Sequence, residues 1–177
     1  MNKRKADTRN MLLRYQKERQ KNVLAKPGKH QFSLVLDHLK PSFNVPKIFR
    51  SAEAFGATSV HLINVDPFDP APAKGSFRKV PVVFHDSFND CYQQLQGQGY
   101  TLFRFAPDAE ESLCNCRLPL KSAFVFGHEE FGCSFDCSDY PELESLHIPQ
   151  YGSVQSLNVS IAASIIMFEY VRQHTKS

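Results

Sequence analysis

The chain has 177 residues, 42% of them hydrophobic, which suits one domain with a substantial core. No apolar run approaches the roughly 20 residues of a membrane span, and the N-terminus lacks the apolar stretch of a signal peptide. Five cysteines without an export signal are expected as reduced thiols, so membrane and disulfide-scaffold classes are excluded and a cytoplasmic location is expected. The net charge of +3 hides an asymmetry. Residues 1–30 carry ten Lys/Arg against two acids, and the remainder eleven against sixteen. A basic arm on a mildly acidic body points to a polyanion partner, most simply nucleic acid.

In chain order, 8–24 reads as a helix with sparse apolar anchors (Met11, Leu12, Tyr15, Val23, Leu24), ended by Pro27-Gly28. Residues 31–37 form a buried-strand run. Pro46 suits a first helical turn, and 47–55 is that helix, closed by Gly56. A strand at 59–64 is followed by a Pro-rich loop through Pro72, and 80–84 is a short strand or an extended connection. Residues 86–96 read as a helix, 100–105 and 122–126 as strands, and 146–148 as a last short strand. From Gln150 the chain becomes a loop of Gly152 and small polar residues, then an apolar helix over 159–171 with small Ala162, Ala163 and Ser164. Apolar strands alternating with helices indicate an α/β domain with a mostly parallel sheet. Residues 31–177 would be that domain and 1–30 an appendage.

Three junctions carry polar residues just past strand ends, where an open parallel sheet binds ligands. They are Asn44-Val-Pro-Lys-Ile-Phe-Arg50 running on to Gly56, Val125-Phe-Gly-His-Glu-Glu-Phe-Gly132, and Ile148-Pro-Gln-Tyr-Gly-Ser-Val-Gln-Ser-Leu-Asn-Val159. None is a dinucleotide or phosphate-loop fingerprint. The last pairs a flexible loop with a helix start, an arrangement that can cradle a ligand on main-chain groups. Cys114-Asn-Cys116 and Cys133-x-x-x-Cys137 lack the spacing of a zinc site, and no metal is expected.

In order and spacing these segments resemble the three signature motifs of the SpoU-type (TrmH-like) branch of the SPOUT RNA methyltransferases, over about 31–173. Asn44, Arg50-Ser-Ala52 and Phe55-Gly56 resemble the first motif; Gly127, Glu129 and Gly132 the second; Ile148-Pro149, Gly152, Ser156-Leu-Asn-Val159, Glu169 and Arg172-Gln173 the third. The resemblance implies an α/β domain with a C-terminal deep trefoil knot, S-adenosylmethionine as cofactor, a homodimer, and methyl transfer to a ribose 2′-hydroxyl of tRNA or rRNA. It places cofactor contacts on Phe105, Phe126, Gly127, Ile148 and Leu157. Catalysis would fall to Arg50, with Asn44, Ser156 and Asn158 positioning it and the ribose, and Glu129 organising the second motif.

An arginine working as a free base near neutrality would need its pKa lowered by roughly five units, about 7 kcal/mol. Orienting the 2′-hydroxyl or a phosphate and stabilising alkoxide charge is the cheaper role for Arg50. Pro46, Glu130 and the bulky pair Gln150-Tyr151 depart from the common pattern. Alternatives are a non-catalytic RNA-binding paralogue that keeps the knot and a base-directed SPOUT methyltransferase.

Overall fold

Strand β1 (Phe32–Asp37) is buried along its whole length, the pattern of a strand covered on both faces. The computed structural model that shows this describes residues 3–175; the first two residues of the basic arm and the last two of the chain lie outside the described residues. β1 pairs with β2 (Ser59–Ile63) on one side and β6 (Ser122–Phe126) on the other. Beyond β2 lies β3 (Val82–His85). Beyond β6 come β4 (Thr101–Phe105), β7 (Glu144–His147) and the two-residue β5 (Glu111–Ser112). The order is β3-β2-β1-β6-β4-β7-β5, and every pairing is parallel.

Side chains alternate across the strands. Leu34, Leu36, Phe124 and Phe126 face one core with Ile48 and Phe49 of α2 (Asn44–Ala54) and Met167 and Tyr170 of α4 (Val159–His174). Val35, Ala123 and Val125 face the other, against Phe88, Cys91 and Leu95 of α3 (Phe88–Gly97). Ala163 is fully buried and Ser164 shares a 2.8 Å hydrogen bond with Ser51, so the small residues of α4 admit α2 at close range.

α1 (Lys3–Asn22) is tied to this core. Tyr15 is buried and stacks on Phe77 at 5.4 Å, with Phe68 edge-on at 5.3 Å. Asn22 donates to the carbonyls of Phe77 and Val80 and accepts from the Val82 amide. The appendage read from the sequence is therefore docked, because one tyrosine among many charges is too sparse a signal to show it.

α2 starts three residues earlier than the sequence suggests, with Pro46 in its first turn, and ends at Gly56, whose φ is +69°. β5 and the 3-10 turns Ala71–Ala73, Ser76–Arg78 and Cys137–Asp139 are too short to show periodicity. No helix among the described residues is long and apolar enough to cross a membrane.

A buried polar chain joins three strands: Ser33 Oγ to Ser59 Oγ at 2.9 Å, Ser59 Oγ to His61 Nε2 at 2.9 Å, and His61 Nδ1 to His85 Nε2 at 2.8 Å. Burial, reinforced by neighbouring His85, pushes the His61 pKa down from 6.5 to about 3, so the ring is neutral where most proteins work. The unfolded chain takes up this proton near pH 6.5 and the folded chain near 3. Its stabilising contribution is thus complete above pH 6.5 and is lost as pH falls toward 3. His61→Gln is expected to flatten the acid limb of stability against pH by about 5 kcal/mol across that window, measured by denaturant unfolding of both proteins.

Candidate active site

The sheet grows one way from β1 through β2 and β3, and the other way through β6, β4 and β7. Past the C-terminal ends of β6, β4 and β7 a crevice opens, at the edge where open parallel sheets bind ligands. Here it is a cavity of about 360 Å³, within the range of small-molecule sites. Phe105 comes from the end of β4, Phe126 and Gly127 from the end of β6, Ile148 from just past β7, and Leu157 from the loop entering α4; all five line it. Ser156 and Glu129 line it too. Phe105, Phe126, Ile148 and Leu157 give the cavity its apolar wall.

Gly127 is where the wall is tightest. A Cβ there would sit 2.5 Å from the Gly132 carbonyl carbon and 2.6 Å from the Cys133 nitrogen. His128 and Gly132 exchange backbone hydrogen bonds of 2.8 and 2.9 Å, closing the intervening turn, and Gly132 has φ +73°. The turn is strapped down by Asp37, fully buried at the end of β1. Its carboxylate accepts from the Ser134 amide at 2.6 Å, the Ser134 hydroxyl at 2.8 Å and His38 Nδ1 at 2.7 Å. On the far side Phe135 stacks on Phe88, with Tyr140 edge-on to both.

The three junctions meet through side-chain amides. Asn44, in the first turn of α2, donates to Glu129 Oε1 at 2.9 Å and accepts from Asn158 Nδ2 at 3.1 Å. Asn158 caps α4, accepting from the Ser160 amide at 3.0 Å and its hydroxyl at 2.6 Å. Burial alone would raise the Glu129 carboxyl. Donation from Asn44, from its own backbone and from the Lys40 amide, with His128 nearby, holds it below the usual carboxylate range instead. It is an anion fixed in place.

Arg50 is not part of this network. It is exposed on α2, about 9 Å along the helix from Asn44, outside the cavity wall. Ser156 is exposed at the cavity edge.

Two lining residues are not among the expected contacts: the sequence shows Arg104 only as part of a strand, and Gln150 only as part of a bulky departure from the common pattern. Arg104 Nε and Gln150 Oε1 are buried side-chain atoms with no hydrogen-bond partner, and both residues face the cavity. Orphaned polar atoms in an apolar slot suit a ligand carrying both acceptor and donor groups. An arginine within the apolar strand Thr101-Leu-Phe-Arg-Phe105 was the available signal. One group among the described residues has metal-ligand composition: His61, His85 and Cys91 hold their ligand atoms within 4.8 Å of one another. It lies apart from the cavity lining, and both ring nitrogens of His61 are already hydrogen-bonded.

A parallel sheet with its cavity past the ends of β6, β4 and β7, walled by a closed glycine turn and a capped C-terminal helix, is the architecture of a ligand-binding α/β domain. The chain matches the SpoU rRNA Methylase family over residues 31–168 and belongs to it. Among its relatives is the tRNA (guanosine(18)-2′-O)-methyltransferase of Thermus thermophilus, 29% identical over 151 residues, which are 82% of this chain and 76% of that one. A structure concerning 2-OH methylation of C/U34 on tRNA is 29% identical with a TM-score of 0.69, covering 82% of this chain and 97% of that one. The SpoU methyltransferase AviRb from Streptomyces viridochromogenes, in complex with AdoMet, shares the fold with a TM-score of 0.72 at 24% identity, over 83% of this chain and 59% of that one. Other curated relatives are longer, and the chain spans 58 to 64% of their length.

Gly127→Ala is expected to force the turn apart at a cost of about 2 kcal/mol, lowering Tm by about 4–8 °C in calorimetry. Gly152→Ala is the control, because a Cβ there meets nothing within 4 Å.

Proposed function

We propose that this chain transfers a methyl group from S-adenosylmethionine to a ribose 2′-hydroxyl of tRNA or rRNA. One observation carries the reading: cavity, orphaned polar atoms and all three family segments converge at one place in the sheet. The cofactor fits the lining. Phe105, Phe126, Ile148 and Leu157 would hold its adenine and ribose by apolar contact, while Arg104 Nε can donate to its carboxylate and Gln150 Oε1 can accept from its amine. When bound, S-adenosylmethionine supplies a methyl carbon on a positively charged sulfur, which keeps the bonding pair as the ribose oxygen takes the methyl.

The chain's own residues align and stabilise. The Asn44 amide and the Glu129 carboxylate fix the start of α2 against the cavity wall, so that the helix bearing Arg50 has a set position. Arg50 would orient the ribose and its phosphate and balance negative charge developing on the oxygen. The hydroxyl proton would pass to a phosphate oxygen or to water. Most of the rate gain would come from alignment.

The C-terminal segment would be knotted. It leaves β7 on the outer side of β4, yet Tyr170 of α4 lies against Phe32 of β1 at 4.8 Å and Phe124 of β6 at 6.0 Å. A homodimer would complete the RNA site. Ile161, Ile165 and Phe168 form an exposed apolar stripe on α4 at helical spacing, and Tyr151 in the loop before it is 97% exposed. Residues 31–177 would be the catalytic unit and the basic helix an RNA contact.

The test is transfer of labelled methyl to separate tRNA and rRNA pools. Label should enter one pool and appear in nuclease-resistant dinucleotides, and Arg50→Ala should slow transfer about 10²- to 10³-fold with cofactor affinity retained. Cofactor binding with no label in either pool would replace this reading by the non-catalytic RNA-binding one. Label on a base would replace it by base methylation.

A further inference from the structure

Between α1 and the turn over residues 70–78 runs a groove of about 440 Å³ on the flank of α2 opposite α4. Its walls carry five cations: Arg14, Lys17 and Lys21 from one face of α1, and Lys74 and Arg78 from the turn. Against them stand Glu18, which pairs with Lys21 at 3.8 Å and Arg78 at 3.6 Å, and Asp69, which pairs with Arg14 at 3.3 Å. Five cations and two acids leave +3, equal to the formal charge of the whole chain. Lys17 and Lys74 make no ion pair among the described residues.

The groove is built rather than incidental. Tyr15, Phe49, Phe68 and Phe77 form one aromatic cluster that clamps α1 and the turn onto α2, with Phe49 next in sequence to Arg50. Asn22 pins the end of α1 to the same turn. Lys74 adopts φ +52°, an uncommon and costly conformation for a side-chain-bearing residue, followed by Gly75 at +87°. The backbones that carry these cations are thereby fixed, so only the side chains remain to be ordered when an anion binds.

We infer that this groove is an RNA backbone site, whose cations seat phosphates of the same RNA that offers its ribose beside α2. The inference rests on the RNA-directed reading above and narrows its basic-helix contact to one groove, completed by Lys74 and Arg78 from the turn. The α1 cations alone span about 10 Å of helix, more than one phosphate group occupies. Apart from Pro70 and Ala71 no apolar side chain lines the groove, so it suits neither lipid insertion nor an apolar peptide. Charge supplies the attraction, and its signature is salt dependence.

Lys17→Gln and Lys74→Gly remove one unpaired cation each, and glycine suits the φ of position 74. Binding of labelled bulk tRNA and bulk rRNA is measured against salt for wild type and the double variant. The slope of log affinity against log salt is expected to shrink by about 1.4–1.8 for two lost phosphate contacts. Tm and S-adenosylmethionine affinity should hold. An unchanged slope, or no RNA binding by the wild type, overturns the inference. If the slope falls although the wild type transfers no methyl, the groove stands and the methyltransferase reading fails; if transfer occurs and the slope is unchanged, the reverse holds.

Discussion

The Asn44 amide joins parts of the chain that are 85 and 114 residues apart, donating to Glu129 and accepting from Asn158. Each partner has a second duty. Glu129 stands in the turn that walls the cavity, and Asn158 caps the helix that closes it. An amide carries a donor and an acceptor on one rigid plane, so it can link a carboxylate to another amide without leaving an unmatched group. A charged residue at position 44 could serve only one side, and an apolar one neither. The relative placement of α2, the turn after β6 and the start of α4 depends on this residue.

The sheet explains why these parts can meet at all. Parallel strands put all their C-terminal ends along one edge, and a crevice opens there past β6, β4 and β7. Asp37 buries its carboxylate at that edge and uses it to strap Ser134, which keeps the Gly127 turn closed. Polar groups with full partners thus shape one side of the crevice, and aromatic side chains fill the other. On the opposite flank of α2 the aromatic cluster seats α1, so the same helix is held on both sides.

Much of this was legible in the residues, and the part that was not has a physical reason. The buried strands Phe32–Asp37 and Ser122–Phe126 announced themselves as continuous apolar runs. The lining positions Phe105, Phe126, Gly127, Ile148 and Leu157 came from the resemblance to the family's motifs, not from any local periodicity. Tyr15 was visible only as a sparse anchor, since its partners Phe68 and Phe77 are more than fifty residues away in a Pro-rich loop with no period of its own. Arg104 and Gln150 were missed because a residue's lack of a partner is a property of the folded neighbourhood. Asn44 bonds both Glu129 and Asn158, contacts between distant segments that no local pattern announces, while Arg50 stands apart on the exposed face of α2.

The central claim is that the three segments work as one site through Asn44. A double-mutant cycle of Asn44→Ala and Glu129→Ala on kcat/KM for methyl transfer to RNA addresses it most directly. The account predicts that the double variant is little worse than the poorer single variant, a coupling of about 1 kcal/mol or more. Losses that simply add would contradict it.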